Sequence, residues 1–105
     1  MNWIALIVAG VFEIGWPLGL KMAQQPQGNK VGWIVVALIS MAISGSFLFY
    51  AQKTIPIGTA YAVWTGLGAV GTLLVGILFF GDSATIMRLL SACLIVAGII
   101  GLKIF

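Results

Sequence analysis

Apolar residues fill four stretches of the chain almost without interruption, and short polar segments separate them. A helix needs about 20 mostly apolar residues to cross the roughly 30 Å hydrocarbon core of a bilayer. Windows at about 3–22, 31–51, 57–80 and 85–104 meet that length, which predicts an all-α membrane protein of four transmembrane helices forming a single domain over 1–105. The breaks carry turn chemistry. Gln24-Gln25-Pro26-Gln27-Gly28-Asn29-Lys30 is a polar turn, Lys53-Thr54-Ile55-Pro56 a shorter one, and Gly81-Asp82-Ser83 reads as the N-cap of the fourth helix. Connections this short leave no room for a soluble domain. Trp3, Trp33 and Tyr50 fall near span ends, where amphipathic rings anchor at the headgroups.

Composition makes the bilayer the only solvent that fits. Of 105 residues 62% are hydrophobic and 7% charged, with a mean hydropathy of +1.20, whereas soluble domains carry about 25% charged residues. A short chain buries too little of its surface to hide that much apolar area in water. The net charge of +3 comes from five scattered Lys/Arg against Glu13 and Asp82. No basic stripe exists, so a nucleic-acid partner has no electrostatic footprint. His is absent and Cys93 is the single cysteine, which excludes a disulfide framework and a Cys/His metal site within one chain. Cys93 reads as a small buried or lipid-facing hydrophobe, and no cofactor or metal is expected. The first span is not expected to be a cleaved signal: Met1, Asn2 and Trp3 supply no basic segment, and the apolar run holds a carboxylate and a proline.

Charge placement bears on orientation. With four spans, Lys53 and Lys103 share one side of the membrane with the N-terminus, and Lys21, Lys30 and Arg88 share the other. Three against two is almost no bias, and orientation follows Lys/Arg excess. The expectation is a chain that inserts both ways and pairs as an antiparallel, dual-topology homodimer; the alternative is one orientation set weakly by Lys21 and Lys30. Small residues at four-residue spacing, Gly58/Ala62/Gly66, Gly68/Thr72/Gly76 and Ala97/Gly101, permit close helix approach, with Ala97 and Gly101 the candidates for dimer packing.

Glu13 carries the chemistry. It lies near the middle of the first span, where an ionised carboxylate costs about 2.5–3.5 kcal/mol on insertion scales. It must therefore face protein or a water-filled cavity. No other acid lies within a span, and no base lies at its depth. A second copy of Glu13 in a dimer is the remaining partner. Two such carboxylates repel and titrate together, so they hold protons or a cation but not both, which is the basis of proton/cation antiport. The alternative is a protonated Glu13 making a structural hydrogen bond.

Leu6, Ala9, Gly10, Glu13, Trp16, Pro17 and Leu20 share one helical face, and Tyr61, Trp64, Thr65 and Gly68 another. Aromatic faces attract cations, so Trp16, Tyr61 and Trp64 are candidates to line a cation pocket, against the alternative of ordinary packing. Pro17 lacks the N–H that would bond the carbonyl of Glu13; it marks either a loosened helix at the carboxylate or a harmless kink. Gly10, Pro17, Gly66 and Gly68 are hinge or kink candidates. The run Gly66-Leu67-Gly68-Ala69-Val70-Gly71 is no phosphate loop, since it lies inside a span with no following Lys and Ser/Thr.

Glu13 central in span one, Leu20-Lys21 closing it, and Pro56-Ile57-Gly58-Thr59-Ala60-Tyr61-Ala62-Val63-Trp64-Thr65-Gly66-Leu67-Gly68 opening span three together resemble the small multidrug resistance family over the whole chain. Trp16 three residues after the glutamate, with the Gly-Thr-Ala-Tyr-Ala-Val-Trp-Thr-Gly wording, resembles the guanidinium-exporter subtype; the quaternary-ammonium exporters usually carry glycine at the Trp16 position. The resemblance implies an antiparallel homodimer in a bacterial plasma membrane that exports guanidinium in exchange for protons, both of which compete for the paired Glu13. It implies that Trp16, Tyr61 and Trp64 line the pocket and that Ser44 bonds the glutamate, Ser46 being the other serine of Ile43-Ser44-Gly45-Ser46. Two departures from the family pattern, Pro17 where a helix former is expected and a slightly longer first loop from Ala23 to Lys30, could each widen the portal towards substituted guanidines or other hydrophobic cations.

Other functions remain as alternatives: a broader quaternary-ammonium or hydrophobic-cation exporter on the same scaffold, a non-transporting membrane subunit, or a cation channel. An enzyme is not expected, because no nucleophile–base pair or metal constellation is present.

Overall fold

The computed structural model describes residues 2–26 and 28–105, and Met1 of the N-terminal stretch and Gln27 of the first turn lie outside the described residues. Four α-helices follow one another: α1 (Asn2–Ala23), α2 (Lys30–Ala51), α3 (Ile57–Phe79) and α4 (Ile86–Ile104). All four are long and apolar enough to cross a membrane; the 22 residues of α1 rise about 33 Å at 1.5 Å each. Caps set the boundaries. Asn29 accepts the Gly32 N–H at 3.0 Å to start α2, and Pro56, with φ −54°, leads into α3. The fourth helix begins later than Gly81-Asp82-Ser83 suggests: Thr85 is its N-cap, accepting from the Arg88 N–H at 3.3 Å. Thr85 has the extended backbone that capping requires, whereas Asp82 is occupied in ending α3.

The helices form a slab of 46 × 34 × 17 Å. Its surface of 6740 Å² exceeds the roughly 5,700 Å² of a compact soluble chain of this mass, because apolar side chains of α2, α3 and α4 face outward. Helix α1 packs extensively on α2 and on α3, α2 and α3 barely meet, and α4 leans on α3. One end is tight. There the start of α1, the turn after α2 and the start of α3 bury Ala5, Leu6, Ala51, Ile55, Ala60 and Val63 together. Lys103 closes this end with its Nζ 5.3 Å above the ring of Trp3.

Glycines set the crossings. A β-carbon on Gly10 would stand 2.7 Å from Leu67 Cβ, and one on Gly19 would stand 3.0 Å from the Trp33 carbonyl oxygen. Gly66 opens α3 to Ile95 and Ile99 of α4. Both Gly10 and Gly66, candidates for bending on sequence, thus sit at close helix contacts. Along α4, Cys93 and Ala97 are exposed and a side chain at Gly101 would meet open space.

The Gly10→Ala substitution is expected to cost about 1–3 kcal/mol through overpacking against Leu67. Gly58→Ala, which meets nothing within 4 Å, serves as the comparison. Unfolding midpoints in detergent micelles should fall for the first and hold for the second, and equal midpoints would contradict the α1–α3 crossing.

Candidate functional site

Glu13 sits half-buried midway along α1, with its side chain laid over Gly68 of α3. A β-carbon at position 68 would lie 2.5 Å from Glu13 Cγ and 3.1 Å from its Cβ. Only glycine there lets the carboxylate stem pass between the two helices. The carboxylate lines a cleft of ≈ 410 Å³ together with Pro17, Thr65, Gly68, Thr72 and Asp82. No Lys or Arg shares that wall. The first basic residue further along α1, Lys21, stands two turns away, about 12 Å along the axis. The site is an acid without a basic partner on the wall of a largely apolar opening, where Thr65, Thr72 and Asp82 are the other polar side chains.

Behind Glu13 a hydroxyl joins three helices. Ser44 of α2 is fully buried; its Oγ donates to the Ala9 carbonyl of α1 at 2.7 Å and accepts from Trp64 Nε1 of α3 at 2.8 Å. Glu13 Oε1 is 3.5 Å from the same oxygen, beyond the usual 2.5–3.0 Å of a hydroxyl bond. A hydroxyl has one proton to give, so Ala9 holds it and Glu13 is the second acceptor within reach. Ser46, the other serine of that run, is exposed and donates to Ala42 of its own helix at 2.8 Å, which removes it from the site.

The aromatic residues divide. The rings of Tyr61 and Trp64 meet at 5.5 Å with a 58° tilt, and Trp64 joins the Ser44 network while Tyr61 is exposed. Trp16 follows Glu13 by one turn, half-buried, outside the cleft wall of this chain. Pro17 lines the cleft, and the carbonyl of Glu13 has no proline N–H to accept from. Thr72, a small packing residue by its spacing, and Asp82, a helix cap by its sequence context, both line the cleft as well. The Gly68/Thr72/Gly76 spacing on α3 was the available signal, since a stripe that admits a helix also admits side chains.

Known proteins similar to this chain cover nearly all of its length. Residues 1–95 match the family described as Small Multidrug Resistance protein. A guanidinium exporter of Yersinia pseudotuberculosis is 49% identical over 99% of this chain and 98% of its own length. A guanidinium exporter of Salmonella typhimurium is 49% identical over 99% of this chain and 97% of its own. One from Proteus vulgaris is 50% identical over 99% and 98%.

Removing the Ser44 hydroxyl strands the Trp64 N–H. Ser44→Ala is therefore expected to lower stability by about 1–3 kcal/mol, the usual cost of an orphaned donor, while Ser46→Ala leaves it near the parent value. Denaturant titration of both variants in micelles checks this, and a Ser46→Ala loss as large as that of Ser44→Ala counts against the network.

Proposed function

The chain belongs to the Small Multidrug Resistance family, and on that premise we propose that it exports guanidinium and small substituted guanidinium cations in exchange for protons across a bacterial plasma membrane. The observation that carries this reading is Glu13, an acid placed mid-span on the wall of a cleft that holds no basic residue. The names of the similar proteins support the substrate.

Guanidinium is planar, and its N–H groups pair with a carboxylate in its own plane through two parallel bonds. A protonated Glu13 offers one hydrogen and no charge; losing that proton makes it the acceptor that the cation needs. Proton and guanidinium therefore take the same oxygens in turn. When Glu13 is ionised and empty, the Ser44 proton can swing from Ala9 to Oε1, which lies 3.5 Å from Oγ. Trp64 keeps its own bond to Ser44 through this exchange and, with Tyr61, offers ring faces to a cation.

The slab is 17 Å thin and leaves Glu13 open on one side, so a second copy supplies the missing wall. The balanced Lys/Arg distribution supports an antiparallel copy, with the outward α4 face at Ala97 and Gly101 as packing surface and Trp16 facing the shared cavity. Bending at Pro17, with sliding at the Gly10, Gly66 and Gly68 contacts, exchanges access between the two sides. Pro17, Ala69 and Leu73 make part of the cleft wall apolar. That wall favours guanidinium ions carrying small alkyl groups over the bare ion alone.

Two outcomes are expected. In proteoliposomes an imposed pH gradient drives uphill guanidinium movement with the native chain and none with Glu13→Gln; undiminished exchange in that variant removes Glu13 from the mechanism. A cysteine added at the N-terminus of a Cys93→Ala background should be labelled by an impermeant reagent in about equal amounts from each side of a cell membrane, as an unbiased charge distribution requires. Labelling from one side only rules out a dimer made from oppositely inserted copies.

A further inference from the structure

Asp82 is the second acid of the chain, and Thr85 has taken the capping role from it. Three features fix its position. Gly81 turns the chain with φ 73°, a left-handed conformation that glycine adopts without a β-carbon clash. The Asp82 N–H then donates to the Gly76 carbonyl at 3.0 Å, an oxygen that also accepts from Phe80. Its side chain settles against Gly76, where a β-carbon would collide with the carboxylate. The result is a solvent-exposed carboxylate held in place by backbone.

Both acids of the chain thus rest over glycines of α3, Glu13 over Gly68 and Asp82 over Gly76. They line the same cleft, with Thr72 between them. The two glycines are eight residues apart, about 12 Å along the helix. That is too far for one small cation to bridge, yet short enough for it to pass from one carboxylate to the other. Asp82 also lines a neighbouring opening with Pro17, Leu18, Lys21 and Thr72. Lys21 is the one basic residue on the wall of that opening.

We infer that Asp82 is an outer cation station of the transport path: a guanidinium-type cation pairs with Asp82 at the mouth, passes the Thr72 hydroxyl, and then pairs with Glu13. The inference rests on the proposed guanidinium/proton exchange and adds a binding residue to it. In an antiparallel pair one Asp82 stands at each face of the membrane, so the station serves for loading on one side and for release on the other.

Asp82→Asn keeps the N–H, the size and the seat over Gly76 while removing the charge. In proteoliposomes it should raise the KM for guanidinium by about threefold or more at low ionic strength, in keeping with loss of an attracting charge at a binding cleft, with the change falling on KM rather than kcat. The gap should shrink at about 1 M salt, where the screening length is near 3 Å, and Asp82→Glu should restore most of the affinity. A KM equal to that of the native chain, or one altered equally at all salt concentrations and not restored by glutamate, overturns the assignment. A native chain that exchanges guanidinium beside an unmoved Asp82→Asn KM overturns this inference alone. A native chain without exchange overturns the parent reading and this one with it.

Discussion

A carboxylate cannot face hydrocarbon, and the placement of Glu13 in α1 imposes that constraint on every other helix. Leaving it among lipid tails costs about 2.5–3.5 kcal/mol, a sizeable share of any small domain's stability. Helix α1 therefore lies between α2 and α3, and α3 gives up a side chain at Gly68 so that the acid has somewhere to go. Gly10 lets α1 and α3 close on one another above it, and Ser44 brings a neutral hydroxyl to 3.5 Å. Apolar burial is concentrated in the cluster around Leu6 and Val63 at one end. The other end, with Pro17, Lys21 and Asp82, stays open.

The polar groups behind Glu13 are few and fully employed. No buried side-chain polar atom lacks a partner among the described residues, yet the Ser44 proton has two acceptors within reach and satisfies one. A buried polar network in a low-dielectric setting is sensitive to such choices, since each bond is stronger there and each vacancy dearer. In the proposed mechanism this makes the charge of Glu13 visible to α2 and α3 at once, through a single hydroxyl.

Much of this was readable from residue order alone. Four apolar windows between Pro, Gly and Asn turns specify four helices, because no other secondary structure satisfies its backbone internally at that length in lipid. Glu13 declared itself as the lone acid within a span. Other features depend on which helix meets which, and periodicity does not carry that information. The proton of Ser44 goes to Ala9 because α1 and α2 cross there, and no local rule pairs those residues. Asp82 looked like a cap because Gly-Asp-Ser commonly precedes a helix; its return onto Gly76 follows from the left-handed turn at Gly81. Ser44 and Ser46 differ by two positions and are alike in type, yet two residues rotate a side chain to the far side of a helix. One is sealed among three helices and the other bonds to its own turn.

Helix α1 packs on both α2 and α3, which meet each other over a much smaller area, at the Ser44–Trp64 bond and around the turn that joins them. Rotation of one relative to the other is therefore felt by α1, which acts as an axle between them. The ionisable group rides on that axle at its midpoint, with proline one turn further along. In the proposed exchange, an ion bound at Glu13 therefore acts at a point that adjoins both neighbours, α2 at Ser44 and α3 at Gly68.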